Sequence, residues 1–219
     1  SEKDRFPFTS NQRDVVIATL FCKIITSYQA VIINLSYGLP NESSVLLRSM
    51  MESVFLMIAN CNDENYYDDY IKSHHYQRLQ LLKKTLKDLP ALDPSPAFSD
   101  DEMKDVYAEL KKFEKYNLII RDVAKKAGLE DYYLTNYWIL SLDAHVTPRS
   151  TEHYISPENK TGEHYFDIIP KVTKEQLSFN ITLASDLILK SFKALYITYS
   201  IDVPVQFSNL VAGFNNLHK

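Results

Sequence analysis

Glycine is scarce in this chain. Its 219 residues include four glycines, whereas an average content of about 7 % would give roughly fifteen. Phosphate-binding loops and tight turns need glycine where the backbone takes positive φ or closely approaches a ligand. The scarcity therefore argues against a glycine-rich nucleotide loop and against a doubly wound sheet.

Cysteine and charge of one sign are also limited. Cys22 and Cys61 are the two cysteines, and they have no C-x-x-C spacing, so neither a zinc knuckle nor a disulfide framework is expected. We expect two buried free thiols in a reducing cytosol. Lysine and arginine total 24 against 28 aspartates and glutamates, a net charge of −4. The basic excess typical of proteins that bind the nucleic-acid backbone is missing.

Targeting and membrane signals are weak. The first residues, SEKDRFPF, lack the basic and then apolar order of a signal peptide. Residues 15–35 are long enough to span a bilayer. However, Lys23 lies near the middle of this stretch, where a lysine costs about 2.5–3.5 kcal/mol to insert. We therefore expect a cytoplasmic protein, with this stretch forming a largely buried helix and making no membrane contact.

What the chain does contain is helical periodicity. Apolar spacing and capping residues predict one all-α domain over residues 1–219, a bundle of five to six long helices. The expected helices cover about 9–37, 41–60, 63–89, 99–127, 130–145, 173–200 and 205–217. A proline-rich linker is expected at 90–98. A small β-hairpin or other ordered excursion is expected near 149–170, with strands near 152–156 and 164–169.

Strong catalytic motifs are absent from the sequence. It has no Walker loop, G-x-S-x-G, H-E-x-x-H or EF-hand spacing. No acidic residue precedes a histidine by three positions within a predicted helix, as the di-metal carboxylate bundles require. The sequence therefore predicts neither a metal site nor a cofactor.

Arg48 and Glu52 are the first candidate site residues. They lie one turn apart on the most hydrophobic predicted helix. An Arg-to-Glu order at this spacing stabilises a helix weakly, and burying charge is unfavourable unless partners satisfy it. Two interpretations stay open. The pair is a structural ion pair that fixes helix register, or Arg48 binds an anion while Glu52 orients it or acts as a general base.

The second candidate group lies on the helix expected over 130–145. Tyr137, Ser141 and His145 recur every four residues, so one helix face carries all three. His145 falls in the last turn, where the helix dipole favours the protonated imidazole. As a functional group, His145 would act with Glu52 as an acid–base pair, and Tyr137 and Ser141 would contact the ligand. The structural interpretation makes His145 a capping or core residue.

These segments together resemble a known family. The core helix LLRSMMESVFLM, the later YWILSLDAHVTP and a turn-rich insertion before a long final helix resemble an uncharacterised bacterial all-helical domain family. Its shared positions correspond to Arg48, Glu52, Tyr137, Ser141 and His145. The resemblance covers most of residues 30–200 and implies the all-helical fold and the polar cluster. It implies no reaction, since the family has no established activity.

A more distant similarity is to HEPN-type helical domains, many of which are RNases of toxin or phage-defence systems. Their signature is an Arg followed by His after four to six residues. Arg149 and His153 have three residues between them and so depart from it. We therefore consider two hypotheses. The protein is a helical bundle that binds a nucleotide, RNA or other anionic ligand in a bacterial defence or toxin system, or it is a non-enzymatic homodimeric interaction module.

Overall fold

The computed structural model describes residues 11–92, 100–145, 148–152, 154–155 and 173–216. Helices make up most of these residues, and no β-strand occurs among them, which confirms the all-α prediction. The helices are α1 (Gln12–Ser36), α2 (Pro40–Asn62), α3 (Tyr66–Leu92), α4 (Asp100–Phe113), α5 (Ile120–Lys126), α6 (Glu130–Tyr132), α7 (Trp138–Ala144), α8 (Pro148–Glu152), α9 (Lys174–Thr198) and α10 (Val205–Asn216). A π-helical turn, Tyr133–Tyr137, joins α6 to α7.

The prediction of five to six long helices is wrong in number. The helix expected over 99–127 is interrupted by a 3₁₀ turn, Glu114–Tyr116, and by three irregular residues that separate α4 from α5. The interruption has a packing reason, because α4 packs against α3 whereas α5 packs against α2. A single straight helix would not reach both neighbours.

The hairpin expected near 149–170 is not seen in the part of the chain that the structure describes. Residues 148–152 form the short helix α8 and do not lead into the strand expected near 152–156. Pro148 favours this outcome, because proline fits the first position of a helix, where its missing N–H has no partner to lose. The rest of the expected hairpin, His153 and residues 156–170, lies outside the described residues.

The core is built around α2. This helix contacts α1, α5, α7 and α9, and a run of its side chains is fully inaccessible to solvent: Leu47, Met50, Met51, Val54, Phe55 and Met57. The nearly uniform apolar character of the sequence here predicts such a central position. The polar residues of α2 must therefore find partners on neighbouring helices.

Small polar residues allow α9 to approach the start of α2. Ser43 and Ser44 are buried, and each hydroxyl donates to a carbonyl four residues earlier. Asn180 of α9, also buried, donates from Nδ2 to the Pro40 carbonyl at 3.2 Å and to Ser44 Oγ at 3.4 Å. These hydrogen bonds offset the desolvation of the polar groups and fix the position of α9.

Helix α1 packs with one face and exposes the other. By length and composition alone, both α1 and α2 are apolar enough to cross a membrane, which is weak evidence for a membrane span. In α2, 61 % of the apolar stretch is buried, as in a core helix. The exposed face of α1 carries Thr19, Cys22, Lys23, Thr26 and Gln29. The prediction that Cys22 is buried is therefore wrong, because it follows the polar face. Cys61 is half-buried.

Truncating the centre of α2 should destabilise the whole domain. We expect Phe55→Ala to lower the free energy of unfolding by about 3–5 kcal/mol, because a fully buried aromatic ring leaves a cavity. Urea denaturation followed by circular dichroism measures this change. The control Tyr37→Ala removes a side chain that is 75 % exposed and should stay within about 0.5 kcal/mol. Equal losses in the two variants would contradict the central position of α2.

Candidate functional site

Arg48, Glu52 and Tyr137 form a closed polar cluster between α2 and the π turn. The Tyr137 hydroxyl donates to Glu52 Oε1 at 2.8 Å, and Arg48 Nη2 donates to Tyr137 Oη at 2.9 Å. Arg48 Nη2 also lies 3.6 Å from Glu52 Oε1. The Tyr137 hydroxyl thus bridges Arg48 and Glu52, which lie one turn apart on α2. In the chain, Tyr137 is 89 positions from Arg48 and 85 positions from Glu52.

Aromatic rings complete the cluster. The Arg48 guanidinium carbon lies 5.0 Å from the centroid of the Tyr137 ring, within cation–π range. Tyr133 stacks on Tyr137, with the two ring centroids 5.0 Å apart and an angle of 21° between the planes. Arg48 is therefore held by a hydrogen bond, a nearby carboxylate and a ring.

The π turn positions Tyr137. A π turn contains one residue more than an α turn, so it rotates the residues that follow by about 100° relative to those before it. Tyr133–Tyr137 adopt this wider turn, and Tyr137 is its last residue. Such turns are rare and occur frequently at functional sites. Sequence periodicity assigns one regular helix here and does not reveal the π turn.

The cluster is only partly sealed. The side chain of Arg48 is 27 % exposed and that of Glu52 is 33 % exposed. Arg48 Nε is buried and has no hydrogen-bond partner among the described residues. An arginine offers five N–H donors. Within the described residues, Arg48 makes one hydrogen bond, from Nη2 to Tyr137. The guanidinium therefore keeps donor capacity for a further acceptor.

Burial raises the pKa of the Tyr137 hydroxyl above its ordinary value. The hydrogen bond from Arg48 lowers this pKa, whereas the hydrogen bond to Glu52 and the charge of Glu52 raise it. Tyr137 is consequently protonated at neutral pH, and its hydroxyl donates a hydrogen bond to Glu52. In this state it positions the two charged groups and does not act as a base.

The two remaining predicted residues lie differently. Ser141 is half-buried on α7, and its hydroxyl donates to the Tyr137 carbonyl at 2.7 Å. His145 is the exposed C-cap residue of α7. No hydrogen bond or ion pair in the described part of the chain joins His145 to Arg48, Glu52 or Tyr137. The structure thus brings three of the five residues into direct contact.

Sequence reasoning missed a second cluster of the same kind. The Tyr132 hydroxyl donates to Asp186 on α9, Lys190 Nζ lies 3.5 Å from Asp186 Oδ1, and the same Nζ lies 5.1 Å from the Tyr132 ring centroid. As in the first cluster, a cation and a carboxylate four residues apart share one tyrosine. The isolated Asp186 within the apolar run LASDLIL was the available signal. Burial, followed by the hydrogen bond to Asp186, raises the pKa of Tyr132.

Comparison with known proteins identifies the family. A family of unknown function (DUF5677) matches residues 14–164. The chain belongs to this family. The match spans Arg48, Glu52, Tyr137, Ser141 and His145, and it stops before α9. It confirms the expected resemblance to an uncharacterised helical domain family.

The other comparisons add no named relative. No curated protein and no solved structure matches the chain. The similarity to HEPN-type domains stays a prediction. The side chain of Arg149 and the whole of His153, which come nearest to the HEPN signature, lie outside the described residues.

The Tyr137 hydroxyl should contribute measurably to stability. We expect Tyr137→Phe to lower the free energy of unfolding at pH 7 by about 1–2 kcal/mol, because it removes a donor from a half-buried carboxylate. This difference should shrink as the pH rises above about 10, the ordinary tyrosine pKa. The reason is that the pKa of Tyr137 is raised in the folded state, so the protonated hydroxyl stabilises the fold. This contribution is lost as the hydroxyl ionises at higher pH.

The matched control is Tyr133→Phe. Tyr133 stacks on Tyr137, and its hydroxyl has no hydrogen-bond partner in the part of the chain described here. Urea denaturation at pH 7 and at pH 10–11 measures the free energy of unfolding of each variant and its change with pH. An equal loss in both variants at pH 7 would show that the bridging hydroxyl is energetically unimportant.

Proposed function

We propose that this domain binds an anionic ligand, a phosphate group of a nucleotide, at Arg48. The observation that carries the proposal is a partly exposed guanidinium that is held in place by one hydrogen bond, from Nη2, within the described chain. A planar fork of this kind suits the bidentate recognition of phosphate. The ring of Tyr137 and its hydroxyl orient the fork before the ligand arrives.

Glu52 is compatible with anion binding. Its Oε1 accepts a hydrogen bond from Tyr137, and the distance of 3.6 Å to Arg48 Nη2 exceeds that of a direct hydrogen bond. The guanidinium therefore makes no direct hydrogen bond to Glu52, so it can donate hydrogen bonds to a phosphate. Glu52 is also the carboxylate nearest to a ligand held there, which makes it the candidate general base.

The proposed acid partner is His145, at the end of α7. It reaches a ligand on Arg48 only if that ligand extends along the helix, as a nucleotide does beyond its phosphate. The resemblances described above extend the proposal to nucleotide or RNA chemistry in the cytosol of bacteria, in a defence or toxin system. Binding and catalysis are separable, because they depend on different residues.

The proposal predicts that Arg48 controls phosphate binding. Isothermal titration calorimetry with adenosine monophosphate should give saturable binding that Arg48→Ala weakens at least tenfold, since a charged bidentate contact is lost. Arg48→Lys should recover only part of the affinity, because an ammonium lacks the fork. His145→Ala should leave the dissociation constant unchanged within about twofold.

The matched control is Arg121→Ala. Arg121 is also paired with a glutamate, through hydrogen bonds of 3.1 Å to Glu130, but it lies on α5. Thermal denaturation of each variant establishes that it is folded. Equal weakening by Arg121→Ala and Arg48→Ala would contradict a site at Arg48, and so would full binding by Arg48→Ala.

A second function, self-association, is favoured by one surface. Trp138 is the one tryptophan of the chain and is 60 % exposed, and Leu134, one turn before it, is 53 % exposed. Large aromatic residues are common anchors of protein interfaces. We propose that a homodimer forms through this Leu134–Trp138 surface, with the Arg48 cluster then stabilising the helix that presents it.

A dimer through this surface predicts a change in tryptophan fluorescence. On dilution through the dissociation range, the tryptophan emission should shift to longer wavelength because Trp138 becomes exposed to solvent. Light scattering should show that the molar mass falls by half. Leu134→Asp should give a monomer at every concentration. The control Ile197→Asp changes a comparably exposed apolar residue on α9 and should leave the dimer intact. A monomeric parent protein at about 1 mM would exclude the dimer.

A further inference from the structure

A separate cleft lies where α3 meets the chain between the 3₁₀ turn and α5. Its volume is about 180 Å³, comparable with cavities that hold a six-carbon ring. Six ionisable side chains line it: Tyr66, Asp69, Lys115, Tyr116, Asp122 and Lys126. None of these residues belongs to the Arg48 cluster.

Tyr66 is the deepest of these groups. The residue is 5 % exposed, it lines the cleft, and its hydroxyl has no hydrogen-bond partner among the described residues. Burial, followed by the nearby charges of Asp69, Tyr70 and Asp122, raises the pKa of Tyr66 to about 12. Both carboxylates line the same cleft as the phenol.

The two carboxylates also lack partners. Neither Asp69 nor Asp122 makes an ion pair or a side-chain hydrogen bond within the described chain. The lysines of the cleft are held elsewhere. Lys126 Nζ lies 3.8 Å from Asp63 Oδ2 and 4.9 Å from the Tyr66 ring centroid, and Lys115 Nζ lies over the ring of Tyr116. The cleft thus presents two carboxylates and one phenol oxygen as unused acceptors.

We propose that this cleft binds a small molecule carrying a primary ammonium group. Three acceptors match the three N–H donors of an ammonium, and its positive charge is attracted by both carboxylates. A metal ion fits less well, since no group of three or more His, Cys, Asp or Glu side chains that could hold one occurs among the described residues. Lys115 at the rim favours a ligand whose other end is neutral or anionic.

Titration with n-propylammonium chloride, followed by ¹⁵N–¹H NMR, tests the site. We expect saturable shifts at residues of the cleft, and about tenfold weaker binding in Asp69→Asn and in Asp122→Asn, since each removes a charged acceptor. Tyr66→Phe should weaken binding several-fold. These near-isosteric changes remove no hydrogen bond found in the described chain, and unchanged spectra outside the cleft confirm that the variants fold.

Two comparisons make the result decisive. Propyltrimethylammonium carries the same charge and chain but no N–H donors, so it should bind at least tenfold more weakly. Asp68→Asn changes the neighbouring carboxylate, which pairs with Lys72 and does not line the cleft, and it should bind propylammonium as the parent does. Equal binding of the two amines, or equal weakening by Asp68→Asn, would overturn the proposal. So would magnesium binding at the same carboxylates without amine binding.

Discussion

The burial of α2 is the constraint on which the rest of the structure depends. Helices α1, α5, α7 and α9 pack against this one helix, so most of its polar side chains are buried or half-buried, and Glu42 and Asn62 near its ends are exposed. Charged groups in such a place need partners, because desolvation is otherwise too unfavourable. For Arg48 and Glu52 those partners come from Tyr137, so the candidate site follows from the way in which the core is built.

Tyrosine hydroxyls supply such partners repeatedly. Tyr132 donates to Asp186, Tyr137 to Glu52 and Tyr199 to Asp14. Each pair joins two different parts of the fold: α6 to α9, the π turn to α2, and the end of α9 to α1. A neutral phenol donates a hydrogen bond to a carboxylate and adds no further charge to the cluster. This explains part of the unusual number of tyrosines, fifteen in the chain.

The α6–π–α7 segment is the element that links the two clusters. Tyr132 reaches α9 and Tyr137 reaches α2, although only five positions separate them in the chain. Tyr132 directly precedes the π turn and Tyr137 is its last residue, so the wider turn separates the directions of these two side chains. The family match includes this segment and α2 but not α9, so the Arg48 cluster is complete within the family region.

The sequence alone determined the all-α class, most helix ends and the placing of Arg48 and Glu52 one turn apart on an apolar helix. Those features depend on local periodicity, on caps such as Thr173 with Gln176, and on the conflict between charge and an apolar helix. Tertiary structure decided the rest. Which side chain reaches Arg48 and the break after α4 both depend on contacts between distant segments, which no short window of sequence records. Glycine scarcity predicted rigid helices, and packing decided which of their side chains meet.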